Sequence, residues 1–148
     1  MGSATIRLRK VAAWLPLVVA FALLVVPVAS ADANHSATGR GTSTAYFCGS
    51  GIPNVATIDF SAQKSKGIIG GFFQISGTAQ KSGNITAGTI NGSSYSLTAT
   101  VGFDFCGGVF EQVIAQATIS GQCGTAVTIH YVDTLGESGD FVGNVACT

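Results

Sequence analysis

The side chains with the most chemistry to offer are four cysteines and two histidines, and one stretch, GQCGTAVTIHY at residues 121–131, sets Cys123 seven residues before His130. Such a pair could ligate a metal, form an activated thiolate, or mark the edge of a disulfide-linked strand. Zinc sites bring ligands in close pairs because one tight turn presents two of them. Here Cys48, Cys106, Cys123 and Cys147 are separated by 58, 17 and 24 residues, and no C-x-x-C occurs. A nucleophilic thiolate needs a base beside it, but seven residues of strand cover about 23 Å, so Cys123 and His130 do not meet. An even number of cysteines in an exported chain reads instead as two disulfides. His130 is expected on the outer face of its strand, and His35 lies in the separate segment ADANHSATGR. No metal ligands and no cofactor are assigned.

The carboxylates are the second candidate chemistry. Asp133, Glu137 and Asp140 crowd the stretch DTLGESGD at residues 133–140. Oxygen ligands on one turn suit Ca²⁺, but the D-x-[DN]-x-[DN]-G order of a calcium loop is missing, and the segment reads as a solvated hairpin turn. Asp59, Asp104 and Glu111 are the remaining candidates for a general acid–base pair. Asp104 is expected on a wet face and Glu111 near a rim. G-x-S-x-G, H-E-x-x-H and phosphate-loop motifs are absent from the sequence, and no catalytic residues are assigned.

The elements that must position these groups begin after a leader. MGSATIRLRK carries Arg7, Arg9 and Lys10, an apolar run follows from Val11, and Ala29-Ser30-Ala31 offers an A-x-A cleavage site. This is the order of parts in a secretory signal peptide, assigned to residues 1–31. Residues 32–42 are expected to be a flexible N-terminal segment and 43–148 a single β domain. After cleavage Arg40, Lys64, Lys66 and Lys81 remain against seven acidic residues, a formal charge of −3. That leaves no basic stripe for nucleic acid, and no membrane contact is expected once the leader is gone.

Strand periodicity dominates the domain. In SYSLTATVGFDF, residues 94–105, the odd positions are Tyr95, Leu97, Ala99, Val101, Phe103 and Phe105, and the even ones are Ser, Thr, Gly and Asp. Such alternation marks a strand with one buried face. Asn91-Gly92 before it is a hairpin signal. Comparable runs are TAYFC, NVATIDFSA, KGIIGGFFQISG, GNITAGTI, QVIAQATISG, AVTIHYV and DFVGNVAC, about eight strands in all, without helical periodicity between them. The expected fold is all-β and antiparallel, a small up-and-down barrel, with a β-sandwich as the alternative. In an up-and-down chain strand ends alternate between two rims. Cys48 and Cys106 then share one rim, Cys123 and Cys147 the other. A disulfide requires Cα atoms within about 7 Å, which selects Cys48–Cys106 and Cys123–Cys147; a bridge of first to last cysteine, closing the barrel seam, is the alternative.

The hairpin NGSSYSLTATVGFDFCGG and the end ISGQCGTAVTIHYVDTLGESGDFVGNVAC, with a G-x-C-G turn and a G-x-F-x-G-N-V-x-C ending, resemble small secreted β domains of ammonia-oxidising archaea. The resemblance covers roughly the last half of the chain. It implies a secreted or cell-surface location and a β fold, and carries no activity and no functional residues. Three functions follow in order: a non-enzymatic structural or binding module with a cell-surface partner; a small apolar-ligand carrier with Tyr95, Leu97, Phe103, Phe105 and Tyr131 lining a barrel cavity; and a hydrolase using carboxylates.

Overall fold

The computed structural model describes residues 34–48, 53–106 and 109–148; the expected leader lies outside them. Among the described residues nine strands follow one another without a helix: β1 (His35–Phe47), β2 (Pro53–Ser65), β3 (Ile68–Gly77), β4 (Gln80–Ile90), β5 (Ser94–Cys106), β6 (Val109–Glu111), β7 (Ala115–Gln122), β8 (Gly124–Asp133) and β9 (Ser138–Cys147). The sheet runs β4-β3-β2-β1-β9-β8-β7-β5-β6, and a further β4–β5 pairing closes it. Every pairing is antiparallel. The result is an eight-stranded closed up-and-down barrel, with the three-residue β6 laid against the end of β5 as an extra strand.

The two disulfides are Cys48–Cys106 and Cys123–Cys147, with Cα separations of 5.7 and 5.8 Å. Each staples one rim, as strand alternation requires, and the first-to-last alternative is set aside. The bore is filled by its own side chains. Ile58, Ile75, Leu97, Ile119, Ile129 and Phe141 are all fully buried.

Three features differ from the sequence reading. Residues 35–42, expected to be flexible, form the first part of β1, which pairs with both β2 and β9. The inward positions there are Ala37, Gly39, Gly41 and Ser43, too small to register as a hydrophobic stripe. Small they must be: a Cβ on Gly39 would strike the Phe60 ring. Next, the β4–β5 hairpin does not use positive φ at Asn91-Gly92, neither of which has it. The Asn91 side-chain oxygen instead accepts the N–H groups of Ser93 and Ser94 at 3.0 and 2.8 Å, an Asx turn. The primed turn lies at Lys66-Gly67, φ 51° and 79°, between β2 and β3.

The third difference shapes the interior. Along β5, Val101 pairs with Gly83 and Phe103 with Ser82, so Gly102 is an extra residue, a β-bulge. One unpaired residue reverses the alternation beyond it. Asp104, expected on the wet face, is therefore buried, while Phe103 and Phe105, expected inward, are half-exposed. Phe103 instead meets Phe110 of β6 edge-on, with centroids 4.9 Å apart.

Candidate functional site

The bulge, the end of β8 and the turn after it bring a polar cluster into one end of the bore. Lys81 comes from the start of β4, Asp104 from the end of β5, Asp133 from the end of β8 and Glu137 from the β8–β9 turn; all four are buried. Lys81 is only 1% exposed. Its ammonium donates to Asp133 Oδ2 at 2.5 Å and to Glu137 Oε2 at 2.6 Å, and lies 3.5 Å from Asp104 Oδ1. The phenols of Tyr46 and Tyr131 complete the group, donating to Glu137 Oε2 at 2.8 Å and to Asp133 Oδ2 at 2.9 Å. The Glu137 carboxylate lies within 4.8 Å of the Cys48 and Cys106 sulfurs, which are tied up in the disulfide at that rim.

Local backbone chemistry sets the turn. Asp133 Oδ1 accepts the N–H groups of Leu135 and Glu137 at 2.9 and 3.1 Å, and the Asp133 N–H donates to the Glu137 carbonyl at 3.0 Å. Gly136 supplies the positive φ, 86°, that turns Glu137 back toward the bore. At Gly139 an added Cβ would sit 2.7 Å from the Tyr46 ring, so the missing side chain is what leaves room for the ring whose hydroxyl reaches Glu137.

Burial pushes the Lys81 amine down, but its hydrogen bonds to Asp133 and Glu137 outweigh this and hold it above its ordinary value. Burial first, and then the neighbouring Glu137, push the Tyr46 hydroxyl far up; burial, then Tyr46 and Asp133, do the same for Tyr131. Both phenols are therefore fixed as donors. Removing charges from water is expensive, and such a cluster persists only when hydrogen bonds meet each group. Here Asp104 Oδ1 faces the ammonium but has no hydrogen-bond partner. Three largely buried carboxyl groups around one amine form a site able to move protons between nitrogen and oxygen.

Above the cluster a hollow of about 300 Å³ opens to solvent, lined by Asp104, Cys106, Val109, Glu111, Leu135 and Glu137. Asp104 and Glu111, considered as a carboxylate pair, are cross-strand partners between β5 and β6, with Glu111 exposed. Asp59 pairs with Arg40 on the outer surface at 3.5 Å. The acidic segment 133–140 is a hairpin turn with an exposed tip at residues 134–136, but its acids are not all solvated: Asp133 and Glu137 are buried, and of the three only Asp140 is outside, where it meets the outward His130 at 2.6 Å.

Of the five residues expected to line a ligand cavity, Tyr95, Leu97 and Tyr131 are buried and packed against neighbours. The Tyr95 ring lies 5.1 Å from Phe60, and Tyr131 lies 6.0 Å from Tyr46 and 5.8 Å from Phe73. Phe103 and Phe105 have left the bore, as described. Tyr131 joins the polar cluster.

Two members of that cluster had a signal in the sequence. Counting by twos from the inward Ile129 and Tyr131 reaches Asp133, and counting down by twos from Ile85 through Gly83 reaches Lys81. Glu137 sits in a turn, where no periodicity applies. No family model, curated protein or solved structure matches the chain.

Proposed function

We propose that the protein is an exported, non-enzymatic β-barrel that acts as a structural or binding module at or outside the cell surface. The observation that carries this reading is the filled bore: the inward apolar side chains from β2, β3, β5, β7, β8 and β9 are buried together in one core, leaving the outer surface to do the work. Two disulfides, one at each rim, are consistent with an extracellular or otherwise oxidising environment. They suit a domain that must persist without chaperones or repair.

A carrier would need its aromatic residues to surround a space rather than one another, which makes it the weaker alternative. The test has two arms. Cell fractionation with an antibody should find the leader-free chain in the surface or medium fraction, and the purified chain should turn over nothing in an ester, glycoside and peptide panel. Recovery in the cytosol overturns the location. Turnover that disappears in Glu111→Gln or Asp104→Ala overturns the non-enzymatic reading.

A further inference from the structure

We infer that the Lys81 side chain and the Asp133 side chain are joined in the mature protein by an amide bond, formed inside the barrel with loss of one water and with Glu137 carrying the protons. The inference does not depend on where the protein acts.

The geometry has the parts that this condensation requires. Lys81 Nζ and Asp133 Oδ2 are 2.5 Å apart although 52 residues separate them in the chain. Holding two reactants in place can be equivalent to about 10⁵–10⁸ M of one of them. Glu137 Oε2 touches the same nitrogen at 2.6 Å, within reach to accept a proton from it. Asp133 Oδ1, where negative charge develops when the carboxyl carbon becomes tetrahedral, already receives two backbone N–H donors, from Leu135 and Glu137. That is the arrangement of an oxyanion hole. Oδ2, the oxygen that must leave, receives the Tyr131 hydroxyl. Of the three carboxyl groups around the amine, only Asp133 is shown with two backbone N–H donors on its second oxygen, and its side chain has no solvent exposure, so water does not reach the bond to reverse the step.

The step balances without any outside reagent. The ammonium passes a proton to Glu137, and the freed amine attacks the Asp133 carboxyl carbon, forming the Nζ–Cγ bond. Glu137 delivers its proton to Oδ2, takes a second one from the nitrogen and delivers that too. The Cγ–Oδ2 bond breaks and the oxygen departs as water with the two protons the ammonium has lost. A neutral amide then replaces a buried ion pair, removing the desolvation cost of two charges. The remaining N–H faces the carboxylate of Glu137. Because β4 and β8 are not neighbours in the barrel, the bond would tie strands across the bore that no backbone ladder connects.

Mass spectrometry of the purified, disulfide-reduced protein is the test. The expected mass is one water below that of the sequence, trypsin should fail to cut after Lys81, and a second protease should release a branched peptide joining Lys81 to Asp133. Glu137→Gln, checked for a folded barrel by circular dichroism, should have the full mass and a normal tryptic cut. A wild-type protein of full mass with cleavage at Lys81 overturns the inference. A branch through Glu137 or Asp104, or an undiminished linkage in Glu137→Gln, overturns the assignment of roles.

Discussion

Replacing Lys81 by methionine keeps the length of the side chain and removes its charge. The variant leaves Asp104, Asp133 and Glu137 facing one another in the end of the bore, where Lys81 itself is 1% exposed and the methionine that replaces it offers no donor. Breaking a buried charge cluster by removing one partner costs about 3–5 kcal/mol, because the remaining charge is desolvated and unpaired. Against a total stability of about 5–15 kcal/mol for a domain of this kind, that is a large fraction. The proposed amide would increase the loss, since it disappears together with Lys81. Urea unfolding at neutral pH should therefore show a much lower midpoint, with a steeper slope where the amide's constraint on the unfolded chain is lost as well. Adding Asp133→Asn and Glu137→Gln should return part of the loss, because a side-chain amide in place of the Asp133 carboxylate is neutral yet still offers its oxygen to the backbone N–H groups of residues 135 and 137. A loss under about 1 kcal/mol, the size of an exposed pair, or a loss that the added Asn and Gln do not reduce, would show that the cluster does not carry the energetic weight its burial implies.

Alkaline pH should weaken the fold through the tyrosines. Tyr46, Tyr95 and Tyr131 are all held above their ordinary 10.0, in each case chiefly by burial; their stabilising effect is complete below that pH and falls as the unfolded chain, but not the folded one, releases those protons. Urea midpoints that stay flat from about pH 9 to pH 11 would contradict this. The two disulfides should differ: on the chain-entropy relation, loops of 58 and 24 residues correspond to about 4 and about 3.5 kcal/mol, so Cys48→Ala/Cys106→Ala should unfold at lower urea than Cys123→Ala/Cys147→Ala. Gly139→Ala should cost about 1–3 kcal/mol by forcing Tyr46 off its seat, measured by the same unfolding experiment.

The architecture was legible because its signal is repeated. Eight alternating runs separated by turn residues favour an up-and-down barrel over a sandwich, and rim alternation then favours the observed disulfides over a first-to-last bridge. The site was less legible because it depends on how strands end. β4 and β8 both extend past the hydrophobic part of their runs, so that Lys81 and Asp133, polar residues in inward register, looked like loop residues. A lysine and an aspartate at the inward positions of two strands can be buried only if they meet, which is a constraint readable in principle once both strand ends are fixed. The first half of β1 was hidden for the opposite reason. Its inward residues, Ala37, Gly39 and Gly41, are small so that Phe60, Ile129 and Phe141 can pack over them, and an alternation of small with polar residues carries no hydrophobic contrast.

Gly102 is where the sequence pattern and the structure part, and removing it distinguishes them. In the observed register Gly102 is unpaired between the Gly83–Val101 and Ser82–Phe103 partners. Its deletion would join these into a regular ladder, with Lys81–Asp104 and Gln80–Phe105 kept as partners. Asp104 would stay inside, Phe103 and Phe105 would stay where they are, and only the local twist that a bulge adds would be lost. If instead the alternation through residue 105 continued unbroken, deletion would turn both phenylalanines from the bore to the outside, at about 1.5–3 kcal/mol for each ring exposed. The chain lacking Gly102 should therefore fold, retain both disulfides and lose less than about 1.5 kcal/mol, the scale of a modest local change. A loss above about 3 kcal/mol, or a chain that no longer folds, would mean that Phe103 and Phe105 belong to the core and that Asp104 does not reach Lys81.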